Sequence, residues 1–424
     1  MLSSGFAIVT VIVVACTLVL MLTRLRGISE AWFAASGATV LMITGVLPID
    51  SPIHAFTETA DVLIFLSGMM LVNGVVERAG VIEVVAERIA NLCGHSAHTL
   101  FVAMFLLAAV VTATMSLDIT IILVTPILYA VTRRRGIDPI PFLFACAFVA
   151  NIGSLILPVS NLTNLLLVNR LDLRFSEFVQ VMWLPNMVAL ATTLVMFLWL
   201  FRKQLAVVDV PDHAPTVPGV ASFEWRRLVG FALIAIILGL LIAGFAEAPI
   251  WIPAAIGAFV LVVASVATRR ITVQDVVRDL SPSLFVFVIA MTMLVQAMDE
   301  HILTTVKISV QDSMVGQITG GVLLATLASN VINNVPATVI AGEVLANVPS
   351  GPREVMAYAS LIGANLGPAL TTYGSLATML WLSLIRKRGT VVSIGMYMRV
   401  SLITVPVVLL TTSCSLWFVL WLRG

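Results

Sequence analysis

The sequence predicts an all-α membrane protein of two inverted-topology repeats, with about 10 transmembrane helices, two re-entrant helical hairpins and two broken helices. Three observations carry this reading. Apolar residues make up 60% and charged residues 11% of the 424-residue chain, whereas soluble proteins run at roughly 45–50% and about 25%. So much hydrocarbon behind so few charges excludes a water-soluble enzyme. The apolar residues also fall into stretches long enough to cross a bilayer, and the two halves of the chain repeat the same interruptions in the same order.

A crossing needs roughly 17–25 mainly apolar residues. Candidate crossings are 6–23, 31–48, 61–76, 142–168, 178–201, 228–246, 250–268, 283–298, 353–383 and 398–422. The first stretch has no basic residue before it and no small-x-small cleavage site after it, so it reads as a helix and not a removable signal. Two further apolar stretches behave differently. Residues 99–132 lie between Arg78/Arg88 and Arg133-Arg134-Arg135. With basic loops held in the cytoplasm, this stretch enters and leaves on one side. A hairpin turning near Ser116-Leu117-Asp118 satisfies that. Residues 316–347 form the second hairpin, turning at Asn330 to Pro336 between poorly basic flanks. In this layout 18 of the 23 basic residues face the cytoplasm, leaving Arg170, Arg174, Lys307, Arg353 and Arg423 outside. That bias is strong enough to set orientation, with both termini outward and the chain multi-pass in an inner membrane.

The organisation follows. Repeat 1 is 1–201, with its hairpin at 99–132 and broken helix at 142–168. Residues 202–227, with Asp209, Pro211, Asp212, Pro215 and Pro218, read as a cytoplasmic linker. Repeat 2 is 228–424, with its hairpin at 316–347 and broken helix at 353–383. Phe148-Val149-Ala150-Asn151-Ile152-Gly153 reads like Leu361 to Gly367 around Asn365. Nine residues beyond each asparagine stands a second polar cluster, Ser160 to Asn164 and Gly374 to Thr378. Ser116-Leu117-Asp118 stands against Ile332-Asn333-Asn334, and Phe65 to Glu77 against Phe287 to Asp299. Five crossings per half is odd, so the second copy enters from the opposite side. Inverted repeats with broken helices are the signature of secondary transporters with a midplane site.

Helix breaks inside hydrocarbon are tolerated only where they line a cavity or are buried in protein. Their half-helix N-termini favour oxygen-rich or anionic ligands, and Asn, Ser and Thr add donors and acceptors without fixed charge. Capping and helix–helix glue are the structural alternative for any one of them, but matched clusters in both halves point to a site. Asp118 is the one acid at the tip of the first hairpin, and an intramembrane carboxylate is a functional hypothesis by default. Desolvation and half-helix N-termini act on its proton in opposite directions, a balance suited to loading and unloading near neutral pH. The structural alternative is a helix cap. Glu343, on the return arm of the second hairpin, is the weaker candidate for proton coupling. The polar gaps are expected to converge on a wet, uncharged pocket.

Other chemistry is not supported. The near-balanced charge, +1 in all, argues against a nucleic-acid partner. Cys16, Cys93, Cys146 and Cys414 stand apart without a CxxC, and the five histidines lack ligand spacing, so no metal or disulfide framework is indicated. No HExxH, GxSxG or cofactor loop is present.

The segments Ala150-Asn151-Ile152-Gly153, Ser160-Asn161-Leu162-Thr163-Asn164 and Asn333-Asn334-Val335-Pro336 resemble the arsenite efflux permeases of the ion-transporter superfamily. The resemblance covers nearly the whole chain. It implies two inverted repeats, each with a scaffold part and a mobile transport part. It also implies efflux of arsenite and usually antimonite, driven by inward proton flow through the lipid bilayer and assisted in some members by a soluble arsenite-stimulated ATPase. The family's unwound-helix and hairpin-tip positions fall on Asn151, Ser160, Asn161, Thr163, Asn164, Asn333, Asn334, Asn365 and Ser375, and the second break adds Thr372 and Gly374. The first tip departs from the family in reading Ser116-Leu117-Asp118 where an Asn-Asp pair is expected, and neither tip carries the Ser-Asn-Thr of the dicarboxylate carriers. A sodium/proton antiporter of the same superfamily is the alternative. Undissociated arsenous acid is a small body of hydroxyl donors and acceptors, which suits Asn, Ser and Thr better than arginine.

Overall fold

A computed structural model describes residues 2–23, 28–94, 96–206, 222–301, 312–390 and 392–423. Most of the linker (207–221), Arg24, Arg26 and Lys307 lie outside the described residues. Every regular element among the described residues is helical. Seven of the helices are at least 18 residues long and apolar enough to cross a membrane, and five shorter apolar helices accompany them.

The first half begins with α1 (Leu2–Thr23), α2 (Glu30–Ile43) and α3 (Ser51–Ala79). Gly80, at φ 67°, takes the left-handed conformation that ends α3 and starts α4 (Val81–Leu92). The first hairpin is α5 (Ala97–Thr114), then α6 (Leu117–Ile119), a π turn at Thr120–Val124, and α7 (Thr125–Arg134). The first broken helix is α8 (Ile140–Ile152), two 3-10 turns and α9 (Leu162–Arg170), and α10 (Phe175–Leu200) closes the half. The second half repeats the order: α11 (Phe223–Phe245), α12 (Trp251–Ala267), α13 (Val273–Asp279), α14 (Pro282–His301), the hairpin α15 (Met314–Ile332) and α16 (Asn334–Ala346), the broken pair α17 (Ser350–Leu366) and α18 (Leu376–Lys387), and α19 (Ile394–Arg423).

Two elements differ from the sequence reading. α4 is an additional amphipathic helix whose Glu83, Glu87 and Arg88 read as loop charge in the sequence. The third element also differs between halves. Ser51–Ala79 and Val273–His301 are each 29 residues, but only the first is continuous. Leu280, extended at φ −68° and ψ 134°, precedes Pro282, and the chain re-enters a helix there.

The packing exchanges partners between halves, as a twofold relation requires. α3 packs on α12 and α14 on α2; α16 packs on α9, and the π turn and α7 pack on α18; α10 and α19 pack on each other. Close approaches rely on small residues. A Cβ on Gly363 would lie 2.4 Å from the Val322 carbonyl oxygen, so α17 and α15 touch backbone to backbone. A Cβ on Gly68 would meet the Ala254 carbonyl at 2.9 Å, which seats α3 on α12.

Polar contacts at the helix ends sort into two groups. One holds Arg78 with Asp279 (2.6 and 2.7 Å), Arg134 with Glu87 (3.4 Å), Arg135 with the Gly94 carbonyl (3.0 Å) and the Tyr129 hydroxyl on the Arg388 carbonyl (2.8 Å). The other holds Arg170 with Glu343 (2.7 and 2.6 Å), Asn347 with Asp299 (3.4 Å) and Arg174 with Glu247 (3.7 Å). Among the described residues no ion pair joins the groups. The first group is the side that charge bias assigns to the cytoplasm. In a cysteine-free background, a single cysteine at Arg386 should react with an impermeant maleimide only in everted vesicles, and one at Arg174 only in right-side-out vesicles. Labelling of both from one side would contradict this arrangement.

Candidate functional site

Each broken helix stops for a local reason. Pro158 has no N–H and holds Leu157 extended (φ −128°, ψ 146°), so α8 unwinds through Gly153–Leu155. Asn161, also extended, restarts the helix, its Oδ1 accepting from the Thr163 N–H at 3.2 Å. The second break follows the same geometry. Pro368 sits in the 3-10 turn Gly367–Leu370, and Ser375 (φ −137°, ψ 139°) caps α18 by accepting from the Ala377 N–H at 3.2 Å. Gly374 has no room for a side chain, since a Cβ would stand 2.6 Å from the Pro368 carbonyl oxygen.

The two breaks meet through side chains. Asn365 Oδ1 accepts from Asn161 Nδ2 at 2.6 Å and from the Thr163 hydroxyl at 2.7 Å, while its Nδ2 donates to Asn164 Oδ1 at 2.8 Å. Asn164 in turn donates to the Ser154 and Leu157 carbonyls left free by the first break (2.7 and 3.0 Å). Asn161 also donates to the Ser154 hydroxyl at 3.2 Å. All four residues are at most 2% exposed. The sequence expected a pocket between these gaps; the structure joins them directly. With no water in hydrocarbon, each amide finds its partner in the opposite repeat.

The remaining predicted residues surround this junction. Ser160 donates to the Ala113 carbonyl of the first hairpin at 2.7 Å. Asn151 donates to the Ala147 carbonyl of its own helix, and its buried Oδ1 has no partner. Thr372 and Asn334 are buried. Glu343 is not a free carboxylate: Arg170 of α9 grips both its oxygens, which binds the second hairpin to the first broken helix. The sequence did not single out Ser154, Arg170 or Asn330. Asn330 is tied to the second break by donating to the Gly367 carbonyl at 2.9 Å and accepting from Thr371 at 2.7 Å.

The hairpin tips are strained at one residue each, Ser116 (φ 152°) and Asn333 (φ 74°). Both cap the returning helix with their own side chains. This geometry pairs Ser116 with Asn333, one position away from the sequence alignment, so Asp118 corresponds to Val335. Asp118 faces a cavity of about 320 Å³ between the first tip, α3 and the first break, with Glu77, Arg278 and Asp279 toward its cytoplasmic end. A larger cavity of about 470 Å³ lies on the opposite side, lined by Glu58, Asp299, Arg170 and Glu343 among others. No basic residue enters the Asn161–Thr163–Asn164–Asn365 junction among the described residues.

Over residues 17–363 the sequence matches the CitMHS family, described as citrate transporter. The chain belongs to this family. Several relatives that the chain covers over nearly their whole length are named arsenical pump membrane protein. Those of Escherichia coli K12 and Yersinia enterocolitica are each 28% identical, over 417 and 421 residues, covering 93% of this chain and 95% of each relative. Among solved structures, the YdaH transporter of Alcanivorax borkumensis, described as having an unusual topology, matches with a TM-score of 0.58 at 16% identity, covering 99% of this chain and 98% of that one. The protein is a multi-pass membrane transporter and not an enzyme.

Asn365 serves three partners, so Asn365→Leu leaves buried amide and hydroxyl groups unsatisfied and should lower stability by about 2–4 kcal/mol. Asn151→Leu, which loses one bond within its own helix, should cost far less. Thermal unfolding in detergent checks the difference; equal midpoints would refute the shared role of Asn365.

Proposed function

We propose that this CitMHS-family transporter extrudes arsenite and antimonite across the inner membrane in exchange for protons, by alternating access. The observation that carries the reading is an uncharged donor–acceptor junction between two broken helices, beside a cavity that holds one carboxylate at the hairpin tip. Neutral trihydroxides of trivalent arsenic and antimony present hydroxyls that both donate and accept, and Asn and Thr groups answer both. Citrate, a multiply charged anion, calls for guanidinium or ammonium partners. Arg170 and Arg78 are already committed, to Glu343 and Asp279. The names of the relatives support the metalloid reading.

Three polar links between halves fall within one set of elements, while Arg78–Asp279 joins the halves outside it. The Asn365 junction ties α17 to α9, Arg170–Glu343 ties α9 to α16, and the Tyr129 hydroxyl ties α7 to the end of α18. Hairpins and broken helices thus form the moving unit, and α2, α3, α12 and α14 form the scaffold. Asp118 would take up a proton when its cavity faces one side and release it on the other, so that metalloid and proton travel in opposite directions.

In everted vesicles, arsenite should accumulate when a proton gradient is imposed and leak out when a protonophore collapses it. Sodium-driven proton flux without metalloid uptake would favour a sodium/proton antiporter. Asp118→Asn should leave the protein folded and abolish gradient-driven accumulation. Wild-type accumulation in that variant would remove Asp118 from the coupling step.

A further inference from the structure

Asn73 lies in α3, on the scaffold, inside an apolar run that offers it no neighbour of its own kind. It is 6% exposed, and its Oδ1 has no hydrogen-bond partner. A buried, unsatisfied amide costs about 1–3 kcal/mol, so its presence in a membrane helix calls for a reason. It lines the cavity of about 320 Å³ whose other wall is the first hairpin tip, with Ser116 and Asp118.

The wall that carries Asn73 is fixed. A Cβ on the adjacent Gly74 would lie 2.0 Å from Asp279 Oδ2, so the Asp279 carboxylate of α13 rests against the bare backbone of α3 at this level. Arg78, one turn on, donates to both Asp279 oxygens and to the Gly74 carbonyl at 3.0 Å. Among the described residues, no hydrogen bond or ion pair of this kind is seen between the hairpin tip across the cavity and α3.

The second repeat supplies an internal control. Counted along the 29-residue stretches Ser51–Ala79 and Val273–His301, Asn73 stands against Val295, and counted from the strained tip residues, Asp118 stands against Val335. Val295 is 2% exposed, and Val335 packs against the same apolar cluster. Val295 also borders a cavity, the one of about 470 Å³ on the opposite side, yet the positions that hold an amide and a carboxylate in the first repeat are valines in the second. Fold symmetry alone does not require the polar pair.

We infer that Asn73 contacts the transported species directly, as the scaffold-side ligand of a station between α3 and the first hairpin tip. This deepens the metalloid reading and rests on it. An amide can donate to one hydroxyl oxygen of a neutral trihydroxide and accept from another, and the hairpin presents Ser116 and Asp118 to the same molecule. The junction at Asn365 then holds the moving unit together while the cargo is handed over beside it.

The test is antimonite and arsenite uptake by the full-length protein in proteoliposomes with an imposed proton gradient. Asn73→Leu, close in volume, should raise KM about tenfold, equivalent to about 1.4 kcal/mol, with kcat little changed. Its thermal midpoint should hold or rise, because an unsatisfied buried amide is removed. Asn73→Ser, which keeps a donor and an acceptor, should keep KM within about threefold of wild type. A wild-type KM in Asn73→Leu overturns the inference; if the leucine does not fit, a wild-type KM in Asn73→Ala overturns it equally. A wild-type protein that carries no trivalent metalloid overturns the functional reading itself, and this inference with it.

Discussion

A helix that stops inside hydrocarbon leaves backbone groups that lipid does not satisfy, at several kcal/mol each. This chain stops two helices at the same place, closes each break with side chains of its own repeat, and bonds those of the first break to Asn365 of the second. Asn164 closes the carbonyls of the first break and is itself bonded by Asn365 from the second. Asn161 caps α9 with its oxygen and reaches Asn365 with its nitrogen. Without Asn365 the buried side chains of the first break lose their partner, so the inverted repeats are coupled at their centre before any cargo is considered.

The hairpins and broken helices carry several cross-repeat bonds of this kind. A unit that moved through a bilayer would have to keep its polar interior satisfied throughout, and on the proposed mechanism it would do so by carrying its partners with it. Arg170 and Glu343 obey the same logic: a partly buried guanidinium and carboxylate form a two-point pair that would travel together. The scaffold has its own clamp in Arg78 and Asp279. Between the two bodies lie cavities on both sides of the junction, the arrangement that a change of access requires.

The sequence shows the large features because they depend on local chemistry. Pro158, Pro368 and the glycines near them mark breaks wherever they occur, and Ser116 and Asn333 are residue types that cap and tolerate a turn. Pairings across the fold are another matter. Arg170 lies 173 residues from Glu343 and Asn161 lies 204 from Asn365, and no local spacing encodes such distances. For that reason the polar clusters read as the walls of an open pocket, whereas the amides close on each other. α4 was obscured because its charges resemble those of a cytoplasmic loop. Asn73 escaped notice because one amide in an apolar run looks like helix glue until its missing partner and its cavity are seen.

The central claim is that hairpins and broken helices move as one body against α3, α12 and their neighbours. Electron–electron distance measurements on spin-labelled pairs test it most directly. One pair sits within the proposed moving unit, at Arg133 and Arg386, and one spans the two bodies, at Thr268 and Arg386. With antimonite and a change of pH, the account predicts a redistribution of the Thr268–Arg386 distance and an unchanged Arg133–Arg386 distance. Separation within the Arg133–Arg386 pair, with Thr268–Arg386 fixed, would contradict it.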